Sequence, residues 1–192
     1  MTHKIRAFIA IDLPQTIKAE LAQTGALLAR QFPDGAVRWV KPERMHLTLR
    51  FLGDTAIPQL PAIATQLDEL TAHHAPFNLH LDKLGCFPNR KRPRVIWAGM
   101  AGNTNALLAL KQDLDERLAS LGWEKEGRPY QAHLTLGRVK NSRAVAQVKW
   151  RGELEKVGMG VTAVHLIESQ LQRSGPLYTT RHTSYLQQTP KN

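Results

Sequence analysis

The chain has a single cysteine, Cys86, no apolar run near the length of a membrane span, and neither a G-x-G-x-x-G pattern nor a P-loop. Each absence removes a class of function. One thiol cannot form an intramolecular disulfide framework or a thiolate zinc cluster, so a reducing, cytoplasmic setting is expected. The apolar run Ala7 to Ile11 stops at Asp12, far short of the roughly 20 residues that cross a bilayer, so no signal peptide, anchor or membrane partner is expected. Without a phosphate-cradling glycine loop, nucleoside-triphosphate chemistry and a doubly wound fold are disfavoured. Acid is also scarce: 16 Asp and Glu face 26 Lys and Arg, a net +10 over 192 residues. Such an excess raises encounter rates with polyanions. Aromatic residues are only 6%, but 42% of the chain is hydrophobic, a globular composition long enough for one domain with a sizeable core.

Periodicity gives an order of elements. Lys4 to Ile11 reads as a strand ended at Asp12-Leu13-Pro14, and Pro14 to about Gln31 as a helix with Ile17, Leu21, Leu27 and Leu28 near helical spacing. Strands are expected at Val37 to Val40 and Met45 to Leu52, a helix from Ile57 to about Ala72, and strands at Phe77 to Cys86 and Arg94 to Met100. Asn103 to Leu121 is an amphipathic helix carrying Leu107, Leu108, Leu110, Leu114 and Leu118, with Gly122 placed to cap it. Tyr130 to Val139 reads as a strand and Ser142 to Lys149 as weakly helical. Gly160 to Leu171 and Pro176 to Leu186 read as closing strands, and Thr189 to Asn192 as a frayed end. Strands outnumber helices and several neighbours lack a crossover helix, which favours α+β with largely antiparallel sheet.

One tetrapeptide occurs twice. His46-Leu47-Thr48-Leu49 and His133-Leu134-Thr135-Leu136 are identical and 87 residues apart, each inside an expected strand. Chance predicts about 0.1 to 0.3 identical tetrapeptides in such a chain, so identity alone is weak. The context is stronger. A strand projects residues i and i+2 from one face about 6.7 Å apart, so each copy buries its leucines and presents an imidazole and a hydroxyl together. Phosphodiester chemistry needs one group to take a proton from the nucleophile and another to protonate the departing oxygen. Histidine serves both roles near neutral pH. Thr48 and Thr135 can donate hydrogen bonds to non-bridging phosphate oxygens from two sides.

At these residues the sequence resembles the 2H phosphoesterases, and within them the RNA 2',3'-cyclic phosphodiesterases long called 2'-5' RNA ligases. The resemblance covers nearly the whole chain. It includes Arg6 to Pro14, Leu47 to Gly53, and Pro129 to Arg138. It implies one bilobal α+β domain over 1–192, with two pseudo-symmetric, mainly antiparallel sheets and outer helices around a central cleft, each lobe supplying one motif. It also implies that His46 protonates the leaving ribose oxygen and that His133 activates water, whereas the residues themselves give one acid and one base without saying which. The implied product is a 2'-phosphate, and the reverse reaction with a 5'-hydroxyl RNA end would make a 2'-5' linkage. The resemblance matches Arg138 to an arginine of the relatives and implies that it neutralises phosphate charge or holds the RNA end by a bidentate contact. Strand parity places it away from the His133 face unless Gly137 permits a bulge. The first motif departs here, with Arg50 and Phe51 where the second has Gly137 and Arg138. By parity Arg50 either reaches the cleft or faces solvent.

Other candidates carry less. His73, His74 and His80 lack a carboxylate-histidine constellation, and His3, His165 and His182 lack a motif, so no metal ligand is assigned. The acid–base reading needs no metal or other cofactor. Cys86 sits in a structural, strand-like context. Trp39, Trp97, Trp123, Trp150, Phe8 and Tyr178 read mainly as core, with one or two available to stack a terminal base. The segment Asn89 to Arg94 holds four cations in six residues, either a solvated connection or a contact for nucleic acid. The expected partner is RNA with a cyclic phosphate end, handled by a monomer. The competing readings are a cyclic phosphodiesterase for a small nucleotide and a protein that binds RNA ends without turnover.

Overall fold

The computed structural model describes residues 3–173 and 175–187. Thr189 to Asn192, expected to fray, lie outside the described residues. Among the described residues nine strands form two antiparallel sheets. The four-stranded sheet has the order β3-β1-β8-β9, built from β1 (Lys4–Ile11), β3 (Leu47–Ala56), β8 (Ala163–Gln172) and β9 (Gly175–Tyr185). The five-stranded sheet has the order β2-β6-β5-β4-β7, from β2 (Val37–Trp39), β4 (Phe77–Phe87), β5 (Val95–Gly102), β6 (His133–Val139) and β7 (Gly158–Val161). The α+β class is as the sequence implies, with one motif in β3 and the other at the start of β6.

Helix α1 (Gln15–Ala29) follows β1 but packs against β2 and β6 of the other sheet, so the chain crosses between sheets at its first turn. Helices α2 (Leu60–Ala72) and α3 (Thr104–Ser120) pack on each other, and α2 covers β8 and β9. Their buried positions follow helical spacing: Ile17, Leu21, Thr24 and Leu28 in α1, and Leu107, Leu110, Lys111, Leu114 and Leu118 in α3. Leu27 and Leu108, counted with those stripes from sequence, are instead 52% and 47% exposed. They lie one position off the inward row. Asn103 caps α3 by accepting the Ala106 N–H at 3.2 Å, and Gly122 follows the helix at φ +99. A short α4 (Ser142–Ala146) is all that forms of the weakly helical stretch. The strand expected over Gly160 to Leu171 is two strands, β7 and β8, parted at Thr162 because β7 pairs with β4 and β8 with β1.

Both motif strands rise from one continuous core. Leu47, Leu49, Leu134 and Leu136 are at most 1% exposed, and each such burial contributes about 2 kcal/mol. Burial of the leucines therefore fixes which way each neighbouring His and Thr points.

Candidate active site

Two bulges decide which side chains share the motif faces. In β3, Ala10 opposes Thr48 while Ile9 opposes Arg50, so Leu49 is an extra residue. In β6, Trp97 opposes Thr135 while Ile96 opposes Gly137, so Leu136 is extra. The two strands are thus interrupted at the same step after the histidine. An extra residue shifts the period of two by one. Arg138 consequently returns to the face of His133 and Thr135, as the Gly137 bulge allows. A Cβ on Gly137 would lie 2.6 Å from Val37 Cγ1 and 3.1 Å from Trp39 Cε3, so the bulged backbone is packed where only glycine fits.

The same shift overturns the parity expectation for Arg50. Arg50 is 6% exposed and points away from the cleft. It reaches Asp115 Oδ1 at 3.4 Å and Glu126 Oε2 at 3.8 Å, and donates to the Glu124 carbonyl. Lys111 joins the same group through Asp115 and, at 3.3 Å, Glu126. This buried ionic network fastens β3 to α3 and to the loop before β6. Phe51 takes the cleft-facing position that parity assigned to Arg50. It is 61% exposed beside Phe8, with ring centroids 6.1 Å apart. The sequence reading passed over Phe51, although aligning the two motifs sets it opposite Arg138.

Each histidine is held in the same way. His46 Nδ1 lies 3.1 Å from the Arg44 carbonyl and His133 Nδ1 lies 2.8 Å from the Gln131 carbonyl. A carbonyl only accepts, so each Nδ1 carries the proton and each Nε2 is left for the substrate. The walls differ. His46 stacks on Phe8 at 4.5 Å and meets the edge of Tyr178 at 5.3 Å. His133 meets the edge of Phe87 at 5.0 Å. Burial lowers the His46 pKa to about 4, opposed by the Arg44 carbonyl and Asp12 and assisted by the positive charges of Lys18 and Arg138. Burial raises the Tyr178 pKa, and Arg138 and Arg44 oppose that rise. Arg138, carried by β6, is therefore felt by two side chains of the opposite sheet, which places it across the cleft from them.

Further contacts bring the sheets together. The Tyr130 hydroxyl, three residues before His133, donates to the Thr48 carbonyl at 2.9 Å. Trp123 Nε1 donates to the Leu52 carbonyl at 3.0 Å. The segment leading into the second motif is thus docked on the strand of the first. Trp97 lies across Gly85 on the cleft side of the five-stranded sheet, where a Cβ on Gly85 would collide with the indole. Trp150 is 2% exposed and Phe8 3%, so both are core. The described aromatic rings bordering the cleft are Phe51, Tyr178, Phe87 and Trp97.

The remaining candidates are tied elsewhere. His73 Nδ1 lies 2.7 Å from the Glu69 carbonyl, His74 pairs with Asp113, and His182 pairs with Asp68. His165 lies on the cleft side of β8 with Nδ1 3.0 Å from Thr183 Oγ1, a place the sequence reading did not assign. Burial raises the Cys86 thiol pKa, with Arg90 opposing, which fits a structural thiol. Among the described residues no group of three or more His, Cys, Asp or Glu could hold a metal ion, and no helix is long and apolar enough to cross a membrane.

Comparison with known proteins places these features in a family. The family model described as LigT-like phosphoesterase matches residues 11–97 and 99–178. A Methanothermobacter thermautotrophicus protein named RNA 2',3'-cyclic phosphodiesterase is 34% identical over 180 residues, 92% of this chain and 96% of that one. One of the same name from Methanocaldococcus jannaschii is 35% identical over 178 residues, 91% of this chain and 96% of its own. The crystal structure of E. coli LigT complexed with 3'-AMP superposes with a TM-score of 0.81 at 30% identity, covering 97% of this chain and all of that one.

Proposed function

The chain belongs to the LigT-like phosphoesterase family of the 2H phosphoesterase superfamily, and from that premise we propose that it opens the 2',3'-cyclic phosphate at the end of an RNA to leave a 2'-phosphomonoester. The observation that carries this reading is the matched pair of strands. Each presents an imidazole with Nδ1 held by a backbone carbonyl and a threonine two residues later on one face, and a bulge at the same step then returns Phe51 or Arg138 to that face.

Chemically, water attacks phosphorus as one Nε2 removes its proton, and the P–O3' bond breaks as the other Nε2 protonates O3'. One histidine ends protonated and the other deprotonated, and solvent restores both. Following the family pattern, His46 is the acid and His133 the base. Burial keeps His46 neutral in the empty site. The phosphodiester anion, arriving beside it, raises its proton affinity and supplies the charged partner that an acid role requires. Thr48 and Thr135 donate to the non-bridging oxygens, and Arg138 neutralises charge that builds on phosphorus. Phe51 and Tyr178 offer ring faces for the terminal base. The fold is read as one bilobal domain, 1–192, acting as a monomer. With a 5'-hydroxyl RNA end in place of water as the nucleophile, the same ring opening, in which P–O3' breaks and O3' is protonated, forms a 2'-5' linkage.

The test is turnover of an oligoribonucleotide ending in a 2',3'-cyclic phosphate by His46→Ala and His133→Ala. Each is expected to lose at least about 100-fold in kcat. Undiminished activity in both variants would overturn the mechanism. Binding of the RNA by the unmutated protein without turnover at any pH would favour an end-binding protein. Turnover confined to cyclic mononucleotides would favour the small-nucleotide enzyme.

A further inference from the structure

The chain's positive charge is not spread evenly. Residues 77–102 and 133–161, which form most of the five-stranded sheet and its connections, hold eleven Lys and Arg against three Asp and Glu, a net +8 of the chain's +10. Among the described residues every ion pair lies outside these two segments, in the end of β1, α1, β3, α2, α3, the loop after α3, and β8 with β9. The excess is therefore uncompensated on one side of the cleft.

Two places concentrate it. Arg38 on β2 stands directly opposite Arg138 on β6, both exposed. Like charges in register across two strands destabilise a sheet unless an anion lies between them. The next place is the connection from β4 to β5. It leaves β4 at Phe87, whose ring touches His133, and re-enters β5 at Val95, which pairs with Arg138. The connection is built rather than slack. The Asn89 side chain accepts the N–H groups of Lys91 at 3.0 Å and Arg92 at 3.1 Å, and Arg90 lies 4.2 Å over the Trp150 ring while donating to the Trp150 carbonyl at 3.1 Å. Lys91, Arg92 and Arg94 are exposed around that anchored frame. The carbonyl of Arg94, at the end of this connection, accepts the Val139 N–H at 2.9 Å, which puts Arg94 one strand spacing from the strand of His133 and Arg138.

We infer that Arg38, Arg138 and the 89–94 connection form a track for the RNA strand upstream of the cyclic phosphate, so that the preferred substrate is an oligonucleotide rather than a mononucleotide. This rests on the cyclic phosphodiesterase reading and extends it to the substrate's length. The division suits single-stranded RNA. Rings on both sides of the cleft, Phe51 and Tyr178 with Phe87 and Trp97, can take a base, and the five-stranded sheet adds cations for successive phosphates.

The test compares kcat/KM for a 2',3'-cyclic mononucleotide with that for a cyclic-ended hexanucleotide, in the unmutated protein and in Lys91→Ala/Arg92→Ala/Arg94→Ala. A charge-depleted control in the loop between α3 and β6 is Lys125→Ala/Arg128→Ala. The unmutated protein and the control are expected to prefer the hexanucleotide, and the triple variant to lose at least about tenfold of that preference. Its log–log salt slope should flatten by about 2, as three single-strand phosphate contacts would give. A preference retained in full by the triple variant, or absent from the unmutated protein, overturns the track. Anisotropy with a labelled hexanucleotide ending in a 2'-phosphate reads the track without chemistry. If nothing is turned over, the catalytic reading fails, and this binding still decides: loss in the triple variant supports the track, and unchanged binding overturns it.

Discussion

His46, the residue before β3, and His133, the first of β6, occupy equivalent steps, with the carbonyl two residues back holding Nδ1 and a bulge three residues on. Their surroundings are unlike. On the four-stranded sheet the inward position after the bulge is Arg50, buried in an ionic network, and the cleft position is Phe51. On the five-stranded sheet the inward position is Gly137, pressed by Val37 and Trp39, and the cleft position is Arg138. The repeat thus supplies a common local geometry for imidazole and hydroxyl. The two residues after each bulge set the difference, with Phe51 near a stacked, desolvated imidazole on one side and Arg138 near a half-buried imidazole on the other.

Several substitutions separate the two halves. The largest effect concerns their roles. An acid is needed only when the leaving oxygen is poor, so a 4-nitrophenyl phosphodiester of the same nucleoside relieves the requirement for it. His46→Ala is expected to recover about 100-fold relative to His133→Ala on that substrate, measured by release of nitrophenolate. The opposite ranking would exchange acid and base.

Next comes stability. Arg50→Ala removes a buried guanidinium together with its bonds to Asp115, Glu126 and the Glu124 carbonyl and is expected to cost about 3–5 kcal/mol in denaturant unfolding, whereas Arg138→Ala, exposed in the cleft, should leave the midpoint nearly unchanged. Equal midpoints would remove the distinction between these two arginines.

A smaller effect follows from His46 itself. Its folded pKa of about 4 lies below the unfolded value near 6.5, so the unfolded chain takes up the proton first. This group's contribution is complete above pH 6.5 and is lost as pH falls towards 4, by up to about 3 kcal/mol. His46→Gln should flatten that part of the stability–pH curve, and an unchanged curve would contradict the desolvated imidazole. The smallest effect is on recognition. Phe51→Ala should raise KM for the cyclic-ended RNA by roughly tenfold with kcat little changed, as loss of one stacked base would do.

The parts of the fold carried by local periodicity were legible in the sequence. Ile17, Leu21 and Leu28 and the α3 leucines point inward because helix spacing puts them on one stripe, and the motif leucines because strands alternate. What escaped depends on residues far apart in the chain. A bulge is defined by the strand opposite, so alternation alone sent Arg50 to the cleft or solvent and hid Phe51. The break at Thr162 has the same origin, since two different partner strands claim its two sides. The paired motifs remained readable because they are identical and buried leucines orient both. Gly137 was the one local sign that parity would fail.

The most direct measurement is phosphorus NMR of a cyclic-ended oligoribonucleotide incubated with the unmutated protein in EDTA, with His46→Ala and His133→Ala alongside. The account predicts a 2'-phosphomonoester from the unmutated protein alone. A 3'-phosphate product, loss of activity in EDTA, or equal conversion by both variants would contradict it.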